Sequence, residues 1–242
     1  MRFVDTMGYR VFSDELSKIR YFGEPVVINT ISPISYGIAT KDIAFKNALI
    51  NSEYLVLDGV YFALSAILLH ARIIKKNQGP EVFSFFMKKM NAESGKVFFL
   101  GSTTDVLKRI KDRSFIEFPN IKLASYSPPF SEEFSFLENE KIIKEINAFK
   151  PDVLFVGMTC PKQEKWVEQN RGALDVKFIC SIGAVFDWFA GTQKTIKPIW
   201  WKLRLGWLKR AIDRPEIFKR YPYIGIFFSH LLYALLRIKK YK

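Results

Sequence analysis

Residues 152–166 read DVLFVGMTCPKQEKW. Val153 to Val156 form a short apolar run closed by Gly157, the pattern of a strand buried on both faces. Pro161 suits the first position of a helix, where its missing N–H removes no hydrogen bond, and PKQEKWVEQN continues as that helix. Helix initiation accounts for the proline. It does not account for Lys162, Gln163 and Glu164 massed directly beyond an apolar strand, which point to a ligand at that end of a sheet.

The same strand-then-helix unit recurs on both sides of this stretch. Strands are expected at 25–30 (PVVINT), 55–59 (LVLDG, with its turn), 96–101 (KVFFLG), 121–127 (IKLASYS) and 177–183 (KFICSIG). Helices are expected at 41–50, 61–76, 81–90, 104–110 and 132–150, with Gly79-Pro80 breaking the second from the third. Such alternation, with strands apolar on both faces, predicts an α/β, Rossmann-like fold: a mainly parallel sheet flanked by helices. In such sheets ligands gather beyond the carboxyl ends of the strands, where helix N-termini turn their positive dipoles outward. Asp58-Gly59, Gly101-Ser102-Thr103 and Gly157 to Glu164 fall at such ends. They supply Gly59, Gly101, Ser102, Gly157, Thr159, Pro161 and Lys162 as candidate substrate-binding residues.

Charge divides the chain more sharply than hydrophobicity does. Of a net +13, the last 49 residues carry +11: thirteen Lys or Arg from Lys194 onward against Asp213 and Glu216. That tail also holds ten aromatic residues, three of them Trp. The expected organisation is therefore a nearly neutral domain, 1–193, and a basic aromatic appendage, 194–242. KPIWWKLRLGWLKRAIDRP reads as an amphipathic helix, and Pro215 and Pro222 divide the rest of the tail into short pieces. Rings that sink to headgroup depth beside cations that meet anionic lipid make a membrane-associating appendage. Packing on the body or on a second subunit is the alternative. No run of about 18 apolar residues is present, so a spanning helix is not expected. The N-terminus, MRFVDTMGYRVFSDE, has no signal-peptide hydrophobic region and predicts a cytoplasmic product.

Chemistry is narrowed by what is scarce. Two cysteines, Cys160 and Cys180, fit neither a disulfide framework nor a zinc site and read as small core residues. With only His70 and His230, both read as structural, a His-based triad is not expected. Glycine-rich dinucleotide and phosphate-loop motifs are absent. Acid–base work then falls to carboxylates, and Asp58 is the best placed. It ends an apolar strand and precedes Gly59, so the backbone can turn closely around a ligand.

Together these segments resemble the WecG/TagA/CpsF family of bacterial glycosyltransferases (glycosyltransferase family 26). The resemblance runs from about residue 8 to about residue 221. It rests on INTISPISYGIATKD (28–42), LDG (57–59), VFFLGS (97–102), VGMTCPKQEKW (156–166), SIGAVFDWFAGT (181–192) and WLKRAIDRPEIFKRY (207–221). It implies an inverting, metal-independent transfer of a sugar from a UDP-sugar to a polyprenyl-diphosphate-linked saccharide in surface polysaccharide biosynthesis. The acceptor would lie at the inner face of the bacterial plasma membrane, with the protein peripheral there. No cofactor is implied beyond the UDP-sugar donor, and the donor sugar leans to an N-acetylhexosamine such as N-acetylmannosamine or its uronic acid. Catalytic roles carry over to Asp58 as general base, to Thr30 lining the same pocket and to Gln163 near the donor sugar. Arg210 and Arg220 match arginines that clamp the UDP diphosphate, a task suited to a planar, permanently charged guanidinium. Relatives that form dimers or trimers make a homo-oligomer a further expectation. Nucleic acid is not an expected partner.

Several positions depart from the family pattern. Ser32 replaces the usual asparagine, Ile34 a histidine, Lys76 an arginine, Gly206 a glutamate and Ile217 a further arginine, and QKTIKPIWW aligns poorly. Ordinary roles also stand beside the functional ones. Thr30 can simply finish a strand, Gln163 cap a helix, Glu164 order the helix start, Asp187 satisfy amides near a turn, and Arg210 and Arg220 face solvent or lipid. The rival function is a non-catalytic membrane-surface or nucleic-acid-binding protein that uses the basic tail.

Overall fold

The computed structural model describes residues 1–192 and 219–240. Eight strands form one sheet: β1 (Phe3–Thr6), β2 (Tyr9–Phe12), β3 (Val26–Ile31), β4 (Tyr54–Leu57), β5 (Lys96–Gly101), β6 (Lys122–Tyr126), β7 (Val153–Gly157) and β8 (Phe178–Ser181). Their order is β1-β2-β4-β3-β8-β7-β5-β6. Only β1 and β2 pair antiparallel; every other pair is parallel. The helices are α1 (Pro33–Ala39), α2 (Ile43–Ile50), α3 (Ala63–His70), α4 (Gly79–Glu93), α5 (Thr104–Glu117), α6 (Phe136–Phe149), α7 (Lys162–Asn170), α8 (Ala184–Phe189) and α9 (Tyr221–Lys240).

Alternation along each strand divides the core between two faces. Val97 and Phe99 of β5 pack with α4, α5 and α8 through Phe83, Phe86, Ile110 and Phe186. Phe98 and Leu100 point the other way, toward Ile142 and Ile146 of α6 and Trp166 and Val167 of α7. Beyond them on that second face, Leu55 and Leu57 of β4 meet α1, α2, α3 and α9 through Tyr36, Phe45, Ala66 and Phe227. The strands bury both faces, as the expected α/β class requires.

The chain leaves β5 for α5 on one face and leaves β7 for α7 on the other, although β5 and β7 are neighbours. Connections that diverge in this way open a crevice at the carboxyl ends of the strands. Gly101 and Gly157 stand opposite each other there. Both are demanded by packing. A Cβ on Gly157 would lie 2.4 Å from the Phe186 ring, and one on Gly101 would lie 2.6 Å from the Gly157 carbonyl oxygen.

Several boundaries differ from the sequence expectation. The hairpin β1–β2 turns through Met7 and Gly8, both at positive φ (52° and 80°). Helix α1, also unexpected, is capped by Ser32: its hydroxyl accepts the Ser35 amide at 3.2 Å, with Pro33 in the first turn. Ser32 can therefore serve the capping role an asparagine serves at such a position. The helix expected over 61–76 ends at His70, because Ala71 adopts the left-handed conformation (φ 51°). The chain then runs irregularly to Gln78, held by the Lys75 amide on the Ser13 hydroxyl at 2.8 Å. Gly79-Pro80 does not break a helix but opens α4. Pro222 likewise lies in the first turn of α9, where its ring removes no needed N–H.

Helix α9 docks on the body. Phe227 is fully buried and Leu231 nearly so, within the cluster built by Tyr36, Phe62 and Ala66. His230 bonds the Tyr36 hydroxyl at 3.0 Å, a structural role. The opposite side of α9 leaves Phe228, Leu232, Tyr233 and Leu236 exposed. No helix among the described residues is long and apolar enough to cross a membrane.

Candidate active site at the carboxyl edge of the sheet

Asp58 is the first residue beyond β4. Its amide donates to the Ile31 carbonyl of β3 at 2.7 Å, which fixes the backbone while the side chain stays exposed. Gly59 follows with φ at +81°, a conformation that glycine reaches without steric cost, so the chain turns away at once. Thr30 is half-buried on β3 opposite Val56, two positions before Asp58 on the adjacent strand.

From the end of β7, three strands along, the loop Met158–Pro161 carries α7 back toward this corner. Cys160 packs against the cluster that includes Leu57 and Tyr36. Arg220, immediately before α9, points Nη2 at the Cys160 carbonyl oxygen at 3.5 Å. The Cys160 thiol is pushed up by burial first and by the charges of Glu164 and Asp58, while Arg220 opposes them. Three segments far apart in sequence, the end of β4, the loop running into α7 and the approach to α9, thus bring Asp58, Glu164 and Arg220 within electrostatic reach of the Cys160 thiol.

Gln163 and Glu164 are nearly sealed, at 4% and 2% exposure. The Gln163 side-chain oxygen accepts the Met158 amide at 3.2 Å, and its NH2 donates to Glu164 Oε1 at 2.8 Å. Gly183 makes room for this amide, since a Cβ there would lie 2.8 Å from Gln163 Oε1. In this arrangement Gln163 shapes the loop from within and turns its polar atoms inward. The other oxygen of Glu164, Oε2, is buried without a hydrogen-bond partner. Burial pushes the Glu164 carboxyl up to about 7, against the pull of Gln163, Cys160 and Arg220.

The remaining predicted residues divide. Thr159 is exposed at the loop tip, and its carbonyl accepts the Lys162 amide at 2.9 Å. Pro161 is the residue before α7 rather than its first. Lys162 points away from Asp58: its ammonium donates to the Ser131 carbonyl at 2.5 Å and sits 3.6 Å above the Phe134 ring. Ser102, at φ 61°, accepts the Ser127 hydroxyl at its carbonyl, beside β5 rather than β4. Lys76 pairs with Glu81 at 3.7 Å. Asp187 accepts the Thr192 hydroxyl at 3.2 Å. Cys180 is fully buried in β8. Arg210, Gly206, Pro215 and Ile217 lie outside the described residues.

Sequence reasoning passes over Glu164 and Cys160 as members of this cluster. The signal was present in the spacing. Gln163, Glu164, Trp166 and Val167 are all buried, so Glu164 shares with Val167 the face that α7 turns inward. A cleft of about 670 Å³ lies one strand further out, lined by Arg2, Asp14, Glu15, Arg72 and Lys75. It is occupied by its own ion pair, Lys75 with Glu15, and holds none of the residues grouped around Asp58. Among the described residues, no three His, Cys, Asp or Glu side chains group closely enough to hold a metal ion.

Known proteins share this chain's sequence over nearly its whole length. An N-acetylglucosaminyldiphosphoundecaprenol N-acetyl-beta-D-mannosaminyltransferase from Staphylococcus aureus (strain MRSA252) is 30% identical over 215 residues, covering 89% of this chain and 83% of the relative. The protein of the same description from strain NCTC 8325 is 29% identical over the same span. The family model described as glycosyl transferase WecG/TagA/CpsF matches residues 4–241, and it takes in the Asp58 corner, the α7 loop and α9 alike. The chain belongs to the glycosyl transferase WecG/TagA/CpsF family.

Proposed function

We propose that this protein transfers a sugar, an N-acetylhexosamine such as N-acetylmannosamine, from a UDP-sugar to a polyprenyl-diphosphate-linked saccharide, with inversion and without a metal. The observation that carries the proposal is that Asp58 and Arg220, from distant parts of the chain, both bear on Cys160 at the carboxyl edge of a parallel sheet. The relatives' description names an undecaprenol-diphosphate-linked N-acetylglucosamine acceptor and an N-acetylmannosaminyl group, which supports the same substrate classes here.

The chemistry follows from the residues. The acceptor hydroxyl oxygen attacks the anomeric carbon as Asp58 takes its proton, and the bond from that carbon to the diphosphate oxygen breaks on the opposite face. Negative charge collects on the departing UDP. Arg220 and Arg210 are assigned by family position to stabilise it, a task that suits a guanidinium. Cationic side chains on the approach to α9, together with that helix's exposed Phe228, Leu232, Tyr233 and Leu236, suit contact with the surface of an anionic membrane, where a prenyl-linked acceptor resides. Peripheral placement on the inner leaflet of the plasma membrane follows from that acceptor.

The test is a UDP-release assay across UDP-sugars with a short-chain prenyl-diphosphate N-acetylglucosamine as acceptor. Release that requires both substrates and survives chelation of divalent ions is expected. Release abolished by the chelator, or equal without acceptor, overturns the reading.

A further inference from the structure

Helix α3 carries an apolar face that the proposed mechanism does not use. Its inner side, with Phe62 and Ala66, closes the cluster under α9. Its outer side exposes Val60, Tyr61, Leu64, Ile67 and Leu68, and no charged residue lies among them. Single exposed apolar side chains are ordinary on a protein surface; a helix face made of nothing else is not. The Phe62 and Phe227 rings meet at 5.3 Å across the seam between α3 and α9. On α9, His230 occupies the flank turned to Tyr36 of α1. The spacing of the helix puts Phe228 and Leu232 on the other flank, beside α3. The exposed faces of the two helices therefore join into one surface.

The charge around this surface has one sign. Residues 59–80 contain Arg72, Lys75 and Lys76 and no Asp or Glu; residues 217–242 contain six Lys or Arg and again no Asp or Glu. Lys75 and Lys76 pair with Glu15 and Glu81, whereas Arg72 is exposed and forms no ion pair among the described residues. We propose that the outer face of α3 is a docking surface for an anionic lipid bilayer: Leu64, Ile67 and Leu68 enter the acyl boundary while Arg72 and Arg237 meet headgroup phosphates. The inference rests on the reading of α9 as a membrane-facing helix and extends it from the appendage to the body. A second copy of the chain fits the same face less well. Two such faces would set cations against cations, with no carboxylate on either helix to meet them. The placement also bears on the reaction. Val60 is two residues beyond Asp58, so docking through α3 holds the proposed base near headgroup depth, the level of a prenyl-linked diphosphate and its first sugar.

The test uses the full chain and vesicles of phosphatidylglycerol with phosphatidylcholine, read by cosedimentation. Ile67→Gln with Leu68→Gln is expected to weaken binding about tenfold or more, and so is omission of phosphatidylglycerol. Phe115→Gln with Ile116→Gln on α5, an exposed apolar pair on the other face of the sheet, is expected to bind as wild type. Equal weakening in the α5 pair marks general stickiness and overturns the inference. Weakening by Leu232→Gln with Leu236→Gln on α9, while the α3 variant binds as wild type, overturns the inference and leaves the reading of α9 intact. A wild type that does not bind anionic vesicles overturns both. A wild-type dimer that the α3 substitutions dissociate, seen by light scattering, assigns the face to self-association and overturns the inference. A second readout leaves most of the face in place. A nitroxide on Leu68→Cys is expected to gain access to oxygen and lose access to an aqueous nickel chelate when vesicles are added; unchanged accessibility overturns the inference.

Discussion

Gly37 of α1 lies directly against the backbone of Tyr223 in α9: a Cβ at Gly37 would stand 2.3 Å from the Tyr223 carbonyl oxygen and 2.7 Å from the Tyr223 Cβ. Helix α9 approaches the body this closely only because Gly37 has no side chain. Since the offending atoms are backbone and Cβ, no rotamer change relieves the clash. Gly37→Ala is expected to cost about 1–3 kcal/mol, the usual range for overpacking a tight contact. Thermal unfolding reads the loss, and protease cleavage near residue 220 is expected to rise with it. An unchanged melting temperature would mean that α9 does not rest on α1 in solution.

At the other end of the crevice, Gly157→Ala meets the Phe186 ring at 2.4 Å. The ring belongs to a side chain packed in the core, so the substitution is expected to destabilise by about 1–3 kcal/mol. The double variant Gly157→Ala, Phe186→Leu is expected to recover part of that loss, because leucine is smaller at the point of contact. A double variant no more stable than the sum of the two single changes would exclude this clash as the cause.

With Asp58 as the proposed base, its substitution is expected to change activity rather than stability. Its side chain is exposed and its amide keeps the bond to Ile31 whatever the side chain, so Asp58→Asn is expected to unfold within about 0.5 kcal/mol of wild type. Loss of the base is expected to lower turnover by about 10²-fold or more. Steady-state UDP release beside a denaturation curve checks both. Retained turnover would remove Asp58 from the mechanism.

Glu164 predicts an unusual slope of stability with pH. Burial raises its carboxyl from 4.5 to about 7 in the folded chain, so the native state holds a proton that the unfolded state has released. The resulting stabilisation is complete below pH 4.5 and is lost as pH rises through 7, a contribution of about 3 kcal/mol. Glu164→Gln is expected to remove this slope. Denaturant midpoints at pH 5 and pH 8 measure it, and identical pH dependence in the two proteins would disprove the assignment.

The strands between β3 and β8 were legible because each is an apolar run ended by a turn residue, and the parallel class followed from their two-sided burial. The β1–β2 hairpin was not legible. Its two-residue turn takes positive φ at Met7 and Gly8, where the familiar sequence signal would put Asn or Asp before the glycine. The early end of α3 at Ala71 was hidden in the same way, since an alanine gives no hint of a left-handed cap. At the site, Asp58 could be read from its place at the end of a strand. Gln163 could be singled out but not oriented. Its inward turn depends on Gly183, twenty residues further on, which opens the space its amide fills. The link from Arg220 to the Cys160 loop is a long-range contact that no local pattern carries.

The seating of Phe227 and Leu231 among Tyr36, Phe62 and Ala66 sets the order in which the protein is completed. During synthesis the sheet emerges first, with an apolar notch over α1 and α3 that its own residues do not fill. That notch closes only when the chain has been made past residue 231. Until then the nascent protein displays sticky surface to every passing chaperone and to every other unfinished copy. A stop codon anywhere upstream of α9 would therefore do more than trim an appendage: it would leave a product whose interior was never sealed.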